Sequence, residues 1–145
     1  MHEPYKTILI AEDNSDDAFF MRRAFSKTGL PHQLRFVPNG QAAVDYLQGK
    51  PPYNNTESFP TPSALVLDIR MPLSNGFEVL EWLKSQPAFH QLPVVVHTTS
   101  GLESDRAQAI KLGASAYYVK GSPADLTAMF EAINEKWLKV PARAA

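Results

Sequence analysis

Five short apolar runs alternate with longer segments of helical period, and four of the runs close on a polar or charged residue. Thr7-Ile8-Leu9-Ile10-Ala11 leads into Glu12-Asp13, and Ala64-Leu65-Val66-Leu67 into Asp68. Val94-Val95-Val96-His97 leads into Thr98, and Ala116-Tyr117-Tyr118-Val119 into Lys120. Leu34-Arg35-Phe36-Val37 is a weaker run. A β-α alternation repeated five times predicts an α/β fold, a parallel sheet with helices on both faces. Strands covered on both faces are continuously apolar, as the third and fourth runs are. In such sheets ligands bind beyond the carboxyl ends of the strands, which is where these polar residues stand.

The boundaries follow from local signals. The first strand is read at about 6–11, the third at 64–67, the fourth at about 93–98 and the fifth at about 115–119. Asn14 or Ser15 caps a helix whose first turn holds Asp16 and Asp17, where acids suit the helix dipole. Phe19, Phe20, Arg23 and Ala24 fall within it, the two phenylalanines read as core or half-core unless one of them faces a partner, and Gly29 with Pro31 ends it. A second helix covers Ala42 to Leu47 and stops at Gly49. Residues 50–63, with Pro51, Pro52, Pro60 and Pro62, form an extended loop of a length that is often functional or mobile. Phe77, Val79, Leu80, Trp82 and Leu83 mark a third helix, and residues 102–112 a fourth. The last begins near Ser122-Pro123, with Pro at its first position, and buries Ile133, Trp137 and Leu138. Residues 1–145 read as one domain with its core at about 6–138 and a frayed tail at 139–145.

Composition removes several function classes. The chain has 145 residues, enough for one core. With 44% apolar and 20% charged residues it is globular. A net charge of −1 argues against a general nucleic-acid or anionic-membrane binder. The absence of cysteine excludes disulfides and thiolate metal sites and fits a reducing compartment. The first apolar run is too short for a signal peptide or a membrane span, so a cytoplasmic location is expected. Asn54-Asn55-Thr56 has the form of a glycosylation sequon and is read as chance.

If the strand ends converge, they assemble three carboxylates, a hydroxyl and an ammonium. Glu12, Asp13 and Asp68 together are costly unless a cation joins them. Oxygen ligands without His or Cys suit a hard ion such as Mg²⁺. Lys120 supplies a point charge for a phosphoryl oxygen, and Thr98 a hydroxyl donor. A carboxylate can itself be a nucleophile that forms an aspartyl-phosphate. Read alone, each residue has a plainer account. Asp68, Asp13 and Glu12 would be solvated acids, Thr98 a β-branched strand residue, Lys120 a solvated lysine, and Tyr117 and His97 packed strand residues.

In combination these motifs resemble the receiver domain of two-component response regulators. The match rests on Asp13 after the first strand and on Asp68 within Leu-Asp-Ile-Arg-Met-Pro. It continues with Thr98-Thr99-Ser100-Gly101 after the fourth strand and Val119-Lys120 after the fifth. It covers residues 6–138. The resemblance implies a flavodoxin-like (βα)5 three-layer sandwich with a five-stranded parallel sheet in the order 2-1-3-4-5. It implies that Asp68 accepts a phosphoryl group from a kinase phosphohistidine, which makes the chain a phosphoacceptor rather than an enzyme. It implies Mg²⁺ held by Asp13, Asp68 and the Arg70 carbonyl, with Glu12 acting through water. Lys120 would neutralise charge, and Thr98 and the Thr99 backbone would bind the new phosphate. Tyr117 matches the aromatic whose rotation reports that step. The Arg70 and Ser100 positions tune dephosphorylation in the family.

The Glu-Asp-Asn-Ser-Asp-Asp opening, the 50–63 loop and His-Thr-Thr-Ser-Gly are similar to stand-alone receivers that partner bacterial phytochrome-type kinases. The expected partners are a sensor histidine kinase or phosphotransfer protein and a downstream protein, or a second copy in a homodimer. Nucleic acid and membrane are not expected. One departure stands out, because the family has proline after the lysine, joined by a cis bond, and here Gly121 follows Lys120. Non-proline cis bonds cost about 2.5–4 kcal/mol, which leaves the geometry at Lys120 open between cis and trans. Three rivals follow. A degenerate receiver would bind partners without phosphorylation, and Gly121 alone favours it. An Asp-nucleophile phosphatase would carry a second aspartate where Arg70 stands. A flavodoxin would need a phosphate-binding loop where Glu12 to Asp17 is acidic.

Overall fold

The computed structural model describes residues 5–71, 73 and 75–141. Pro72 of the Asp68 motif and residues 142–145 of the expected tail lie outside them. Among the described residues the strands are β1 (Thr7–Ala11), β2 (Gln33–Val37), β3 (Ala64–Leu67), β4 (Val94–Thr98) and β5 (Ala116–Val119). They alternate with helices α1 (Ser15–Lys27), α2 (Gly40–Gln48), α3 (Gly76–Lys84), α4 (Glu103–Lys111) and α5 (Pro123–Ile133). Every neighbouring pair is parallel and the order is β2-β1-β3-β4-β5, the flavodoxin-like arrangement.

Alternation along the strands divides the core into two layers. Leu9, Ala11, Leu65, Leu67, Val94 and Val96 pack with Ala43, Tyr46, Val79, Leu80, Leu83 and Ala109 of α2, α3 and α4. Ile8, Ile10, Ala64, Val66 and Val95 pack on the other face with Met21, Ala24 and Phe25 of α1 and Leu126, Met129, Phe130 and Ile133 of α5. The α1 stripe has i, i+3, i+4 spacing, and its Phe25 ring meets Phe130 edge-on at 5.1 Å. That phase turns Phe19 and Phe20 outward, at 56% and 46% exposure. They are surface residues, not the core or half-core residues that their apolarity suggests.

The caps are side-chain oxygens where the sequence offers them. Asn14 accepts from the Asp17 N–H, Asn39 from Ala42, Asn75 from Glu78 and Ser122 from Asp125, each satisfying an orphan donor. The last two are reciprocal capping boxes. The 50–63 loop is held by aromatics against α2. Tyr53 and Phe59 lie 5.2 Å apart by ring centroid, and 5.3 and 5.9 Å from Tyr46. The Tyr46 hydroxyl donates to the Pro60 carbonyl at 2.8 Å.

The start of the expected tail is likewise tied down. A π-helical turn at Asn134–Leu138 extends α5 and buries Leu138. The Asn134 side chain donates to the Val140 carbonyl at 2.8 Å and accepts from the Val140 N–H at 3.1 Å. The same oxygen lies 2.8 Å from His32 Nε2. His32 Nδ1 accepts from the Lys6 N–H at 3.1 Å, which leaves Nε2 as the protonated nitrogen and donor. One asparagine thus fastens the end of α5 to the start of β1.

Gly76 sits where α3 begins, against the end of β3. A Cβ there would lie 2.7 Å from Ile69 Cα and 2.8 Å from the Asp68 carbonyl oxygen. Both are backbone atoms and cannot swing aside. Gly76→Ala is expected to lower the unfolding free energy by about 1–3 kcal/mol, measured as a lower urea midpoint.

Candidate functional site

The sheet's hydrogen bonding continues one residue past the strands. The Glu12 N–H donates to the Val37 carbonyl at 3.0 Å, Asp68 to Ala11 at 3.3 Å and Lys120 to Thr98 at 2.7 Å. These bonds hold Glu12, Asp68 and Lys120 at one mouth, at the carboxyl ends of β1, β3 and β5. The Lys120 ammonium lies 3.0 Å from Glu12 Oε1, 2.8 Å from Asp17 Oδ2 and 2.9 Å from Asp68 Oδ2. Its three N–H bonds are matched by three carboxylates. The other Asp68 oxygen accepts from the Arg70 N–H at 2.9 Å, and the other Glu12 oxygen from the Asn14 N–H at 3.1 Å.

Glu12 and Asp68 are buried and Asp13 is exposed. The three offer oxygens that all lie within 4.8 Å of one another. An oxygen-only set with two buried members fits a hard divalent cation. Burial raises the Glu12 carboxyl above its ordinary value, against the Lys120 hydrogen bond and the Asn14 N–H. Burial lowers the Lys120 ammonium, but its bonds to Asp17, Asp68 and Glu12 outweigh that and hold it above the ordinary lysine range. It carries its charge at every physiological pH.

The β4 and β5 ends form a second cluster. Thr98 is fully buried, and its hydroxyl oxygen accepts from the Ser100 N–H at 3.4 Å. Thr99 follows at an exposed bend. Tyr117 points inward, its hydroxyl donating to the Ser100 carbonyl at 2.8 Å. The Ser100 hydroxyl donates to Asp105 Oδ2 at 2.5 Å, and an Arg70 Nη donates to the same oxygen at 2.5 Å. The Ser100 hydroxyl and the Arg70 guanidinium hold the Asp105 carboxyl below its ordinary value, against its own desolvation. Arg70 therefore links the Asp68 loop to α4, and Ser100 links α4 to Tyr117.

Gly121 leaves Lys120 well placed. Among the described residues the cis peptide bond is Pro51–Pro52, so Lys120–Gly121 is trans. A Cβ at Gly121 would collide with the Asp125 carboxylate, which accepts from the Ser122 N–H at 3.0 Å in the α5 cap. Glycine fits here because the capping acid fills the space a side chain would need.

Two features of the site escape a reading of motifs. Asp17 reads as an ordinary first-turn acid of α1, and nothing local marks it as facing the same mouth. Asp105 likewise reads as a helix-start acid, and nothing local pairs it with Arg70.

The response regulator receiver domain model matches residues 8–134. Response regulator Rcp1 of Synechocystis sp. is 33% identical over 137 residues, covering 94% of this chain and 91% of that protein. The phosphorylated cyanobacterial phytochrome response regulator RcpA superposes with a TM-score of 0.82 at 30% identity, over 97% of this chain and 99% of that one. The Mn²⁺-bound form of Rcp1 gives 0.79 at 33% identity, over 96% and 99%.

His97 stands beside this site with its imidazole depressed from 6.5 to about 4, by burial first and then by the Lys120 charge. A depressed base is neutral in the folded state while the unfolded chain takes up a proton. Its contribution to stability is therefore whole above about pH 6.5 and is lost as pH falls toward 4, by up to about 3 kcal/mol. His97→Leu is expected to flatten the acid-side fall in stability across that window, checked by urea midpoints at several pH values.

Proposed function

The chain belongs to the response regulator receiver domain family, and from that premise we propose that it accepts a phosphoryl group from a histidine kinase phosphohistidine onto Asp68. The observation that carries this reading is the shared position of Asp68. One of its oxygens meets the Lys120 ammonium at 2.9 Å, and its carboxylate lies among the oxygens of Glu12 and Asp13. In the proposed step an Asp68 oxygen attacks phosphorus, the phosphorus–nitrogen bond breaks, and the imidazole leaves with the electron pair and takes up a proton. The Arg70 N–H holds the carboxylate in orientation. Lys120 stabilises charge on the transferring oxygens. Asp13, Asp68 and the Arg70 carbonyl would hold Mg²⁺, with Glu12 acting through water, and the ion when bound would neutralise charge on the phosphoryl group. A metal-bound relative, Rcp1 with Mn²⁺, supports a divalent site.

The phosphorylated state would be read at Thr98 and Tyr117. Thr98 would exchange the long bond from the Ser100 N–H for a phosphoryl oxygen, and the Thr99 N–H would donate beside it. Tyr117 is tied to the Ser100 carbonyl, so movement of this loop reaches β5 and α4 directly. The protein would act in the cytoplasm as a signalling phosphoacceptor without enzymatic turnover of its own. Its relatives' names, a phytochrome response regulator among them, point to a phytochrome-type sensor kinase as donor. A downstream protein would receive the signal.

Incubation with Mg²⁺ and acetyl phosphate is expected to add one phosphoryl group by intact mass. Asp68→Ala or removal of the metal with EDTA abolishes the gain, and Lys120→Ala slows it by about a hundredfold. Full phosphorylation of Asp68→Ala, or of the wild type in EDTA, would rule the mechanism out.

A further inference from the structure

Little apolar surface seats α4 on the sheet. Its buried residues are Asp105 and Ala109, and every other residue from Glu103 to Lys111 is exposed. By contrast α5 buries Leu126, Met129, Phe130 and Ile133. A helix without an apolar stripe depends on its polar contacts, and here one carboxylate supplies them. Asp105 Oδ2 accepts from the Ser100 hydroxyl and from an Arg70 Nη, both at 2.5 Å. No side chain caps the helix, and the Leu102 N–H before it donates to the Ser100 hydroxyl at 3.3 Å. Arg70 is the open end of this arrangement, with 54% of its side chain exposed against 12% for Asp105. Its own N–H donates to Asp68 Oδ1 at 2.9 Å. The guanidinium that fastens α4 therefore belongs to the residue whose backbone holds the Asp68 carboxylate.

Given Asp68 as the phosphoacceptor, a reading on which this inference rests, we propose that Asp105 is a positioning residue that withholds the Arg70 guanidinium from Asp68. Phosphorylation of Asp68 then breaks the Arg70–Asp105 bond and loosens the start of α4. A phosphoryl group carries about two negative charges at neutral pH, and a guanidinium pairs with its oxygens through two parallel bonds. The exposed Arg70 side chain can swing toward it without disturbing the core. Asp105 then keeps only the Ser100 hydroxyl, and Ser100 stands on the loop that phosphorylation moves. The Ser100 N–H donates to the Thr98 hydroxyl and its carbonyl accepts from Tyr117. A carboxylate that loses its cation while shut off from water is costly, and Ala109 alone does little to stop it moving outward with the helix. By linkage, whatever holds Arg70 on Asp105 opposes phosphorylation, and phosphorylation opposes that bond equally. This route runs from Asp68 to α4 through Arg70 and is separate from the one through Thr98.

The test uses beryllofluoride with Mg²⁺, a phosphoryl mimic that binds a carboxylate oxygen, titrated into the ¹⁵N-labelled full chain. In the wild type it is expected to shift the amides of Asp105, Arg106 and Ala109. Asp105→Asn removes the charge and keeps the shape. It is expected to bind the mimic about fivefold tighter, with those amides displaced toward their mimic-bound positions before any is added. In an Arg70→Ala background Asp105→Asn is expected to give no gain, whereas a plain change of charge near the anion would give one with or without Arg70. If Asp105→Asn does not fold, Arg70→Ala alone carries the test, being a change at an exposed side chain. Its α4 amides are expected to lie toward the mimic-bound positions. Unchanged or weaker affinity in Asp105→Asn, a gain that survives without Arg70, or α4 amides that keep their unliganded positions in Arg70→Ala would overturn the role of Asp105. A wild type that neither binds the mimic nor gains a phosphoryl group from acetyl phosphate would instead overturn the reading of Asp68, and the role of Asp105 with it. A wild type that binds the mimic leaves the reading of Asp68 in place whatever the variants do.

Discussion

The site depends on one ammonium group. Lys120 enters from β5 and reaches carboxylates from β1, β3 and α1 at 2.8–3.0 Å. Two of these, Glu12 and Asp68, are buried, and a buried carboxylate without a counter-charge is among the most costly arrangements in a protein. The ammonium therefore decides whether the strand ends can be charged at all. It also fixes their relative position, because three bonds from one nitrogen leave little freedom to any of the three acids.

That contact is possible because the strands are parallel and in register. Ala11 pairs with Leu67, Leu67 with Val96 and Thr98 with Val119, so the residues that follow these pairs emerge at nearly the same level. An antiparallel sheet would send neighbouring strand ends to opposite edges. The polar cluster also needs short, stiff exits from the strands. The Asn14 cap turns the chain into α1 two residues after Glu12, and the Ser122–Asp125 box turns it into α5 directly after Gly121. Each exit fixes the direction of a charged side chain as well as the start of a helix.

Much of this was legible in the residues before the structure. Continuous apolar runs closing on Glu12, Asp68, Thr98 and Lys120 point to buried parallel strands, because ligands bind beyond the carboxyl ends of such strands and the four polar residues stand there together. The strand order is not contained in that periodicity and came from the family resemblance alone. Periodicity also left the phase of α1 open. Phe19 and Phe20 are more apolar than Ala24, yet Ala24 is buried and they are not, since Met21, Ala24 and Phe25 share the stripe that meets α5. The 50–63 loop reads from its length as functional or mobile, whereas Tyr46, Tyr53 and Phe59 bind it to α2 through ring contacts that no strand or helix period announces. At Gly121 the difficulty was one of reference. Measured against proline it is a loss, but beside the Asp125 carboxylate it is the residue that fits.

The full coordination of Lys120 sets a condition on any chemistry at Asp68. An ammonium has three protons, and all three are engaged, so a phosphoryl oxygen can be bound only if a carboxylate lets go. The three partners are not equal in this respect. Side-chain exposure is 2% for Glu12, 5% for Asp68 and 35% for Asp17. A released carboxylate must be rehydrated, and only Asp17 is in a position to meet water without rearrangement of the core. Releasing Glu12 would instead leave its carboxylate buried, and burial already raises its pKa. The arrangement thus divides the three acids by consequence. Glu12 and Asp68 stay in place as the fixed wall of the site, and Asp17 is the partner that Lys120 exchanges at least cost.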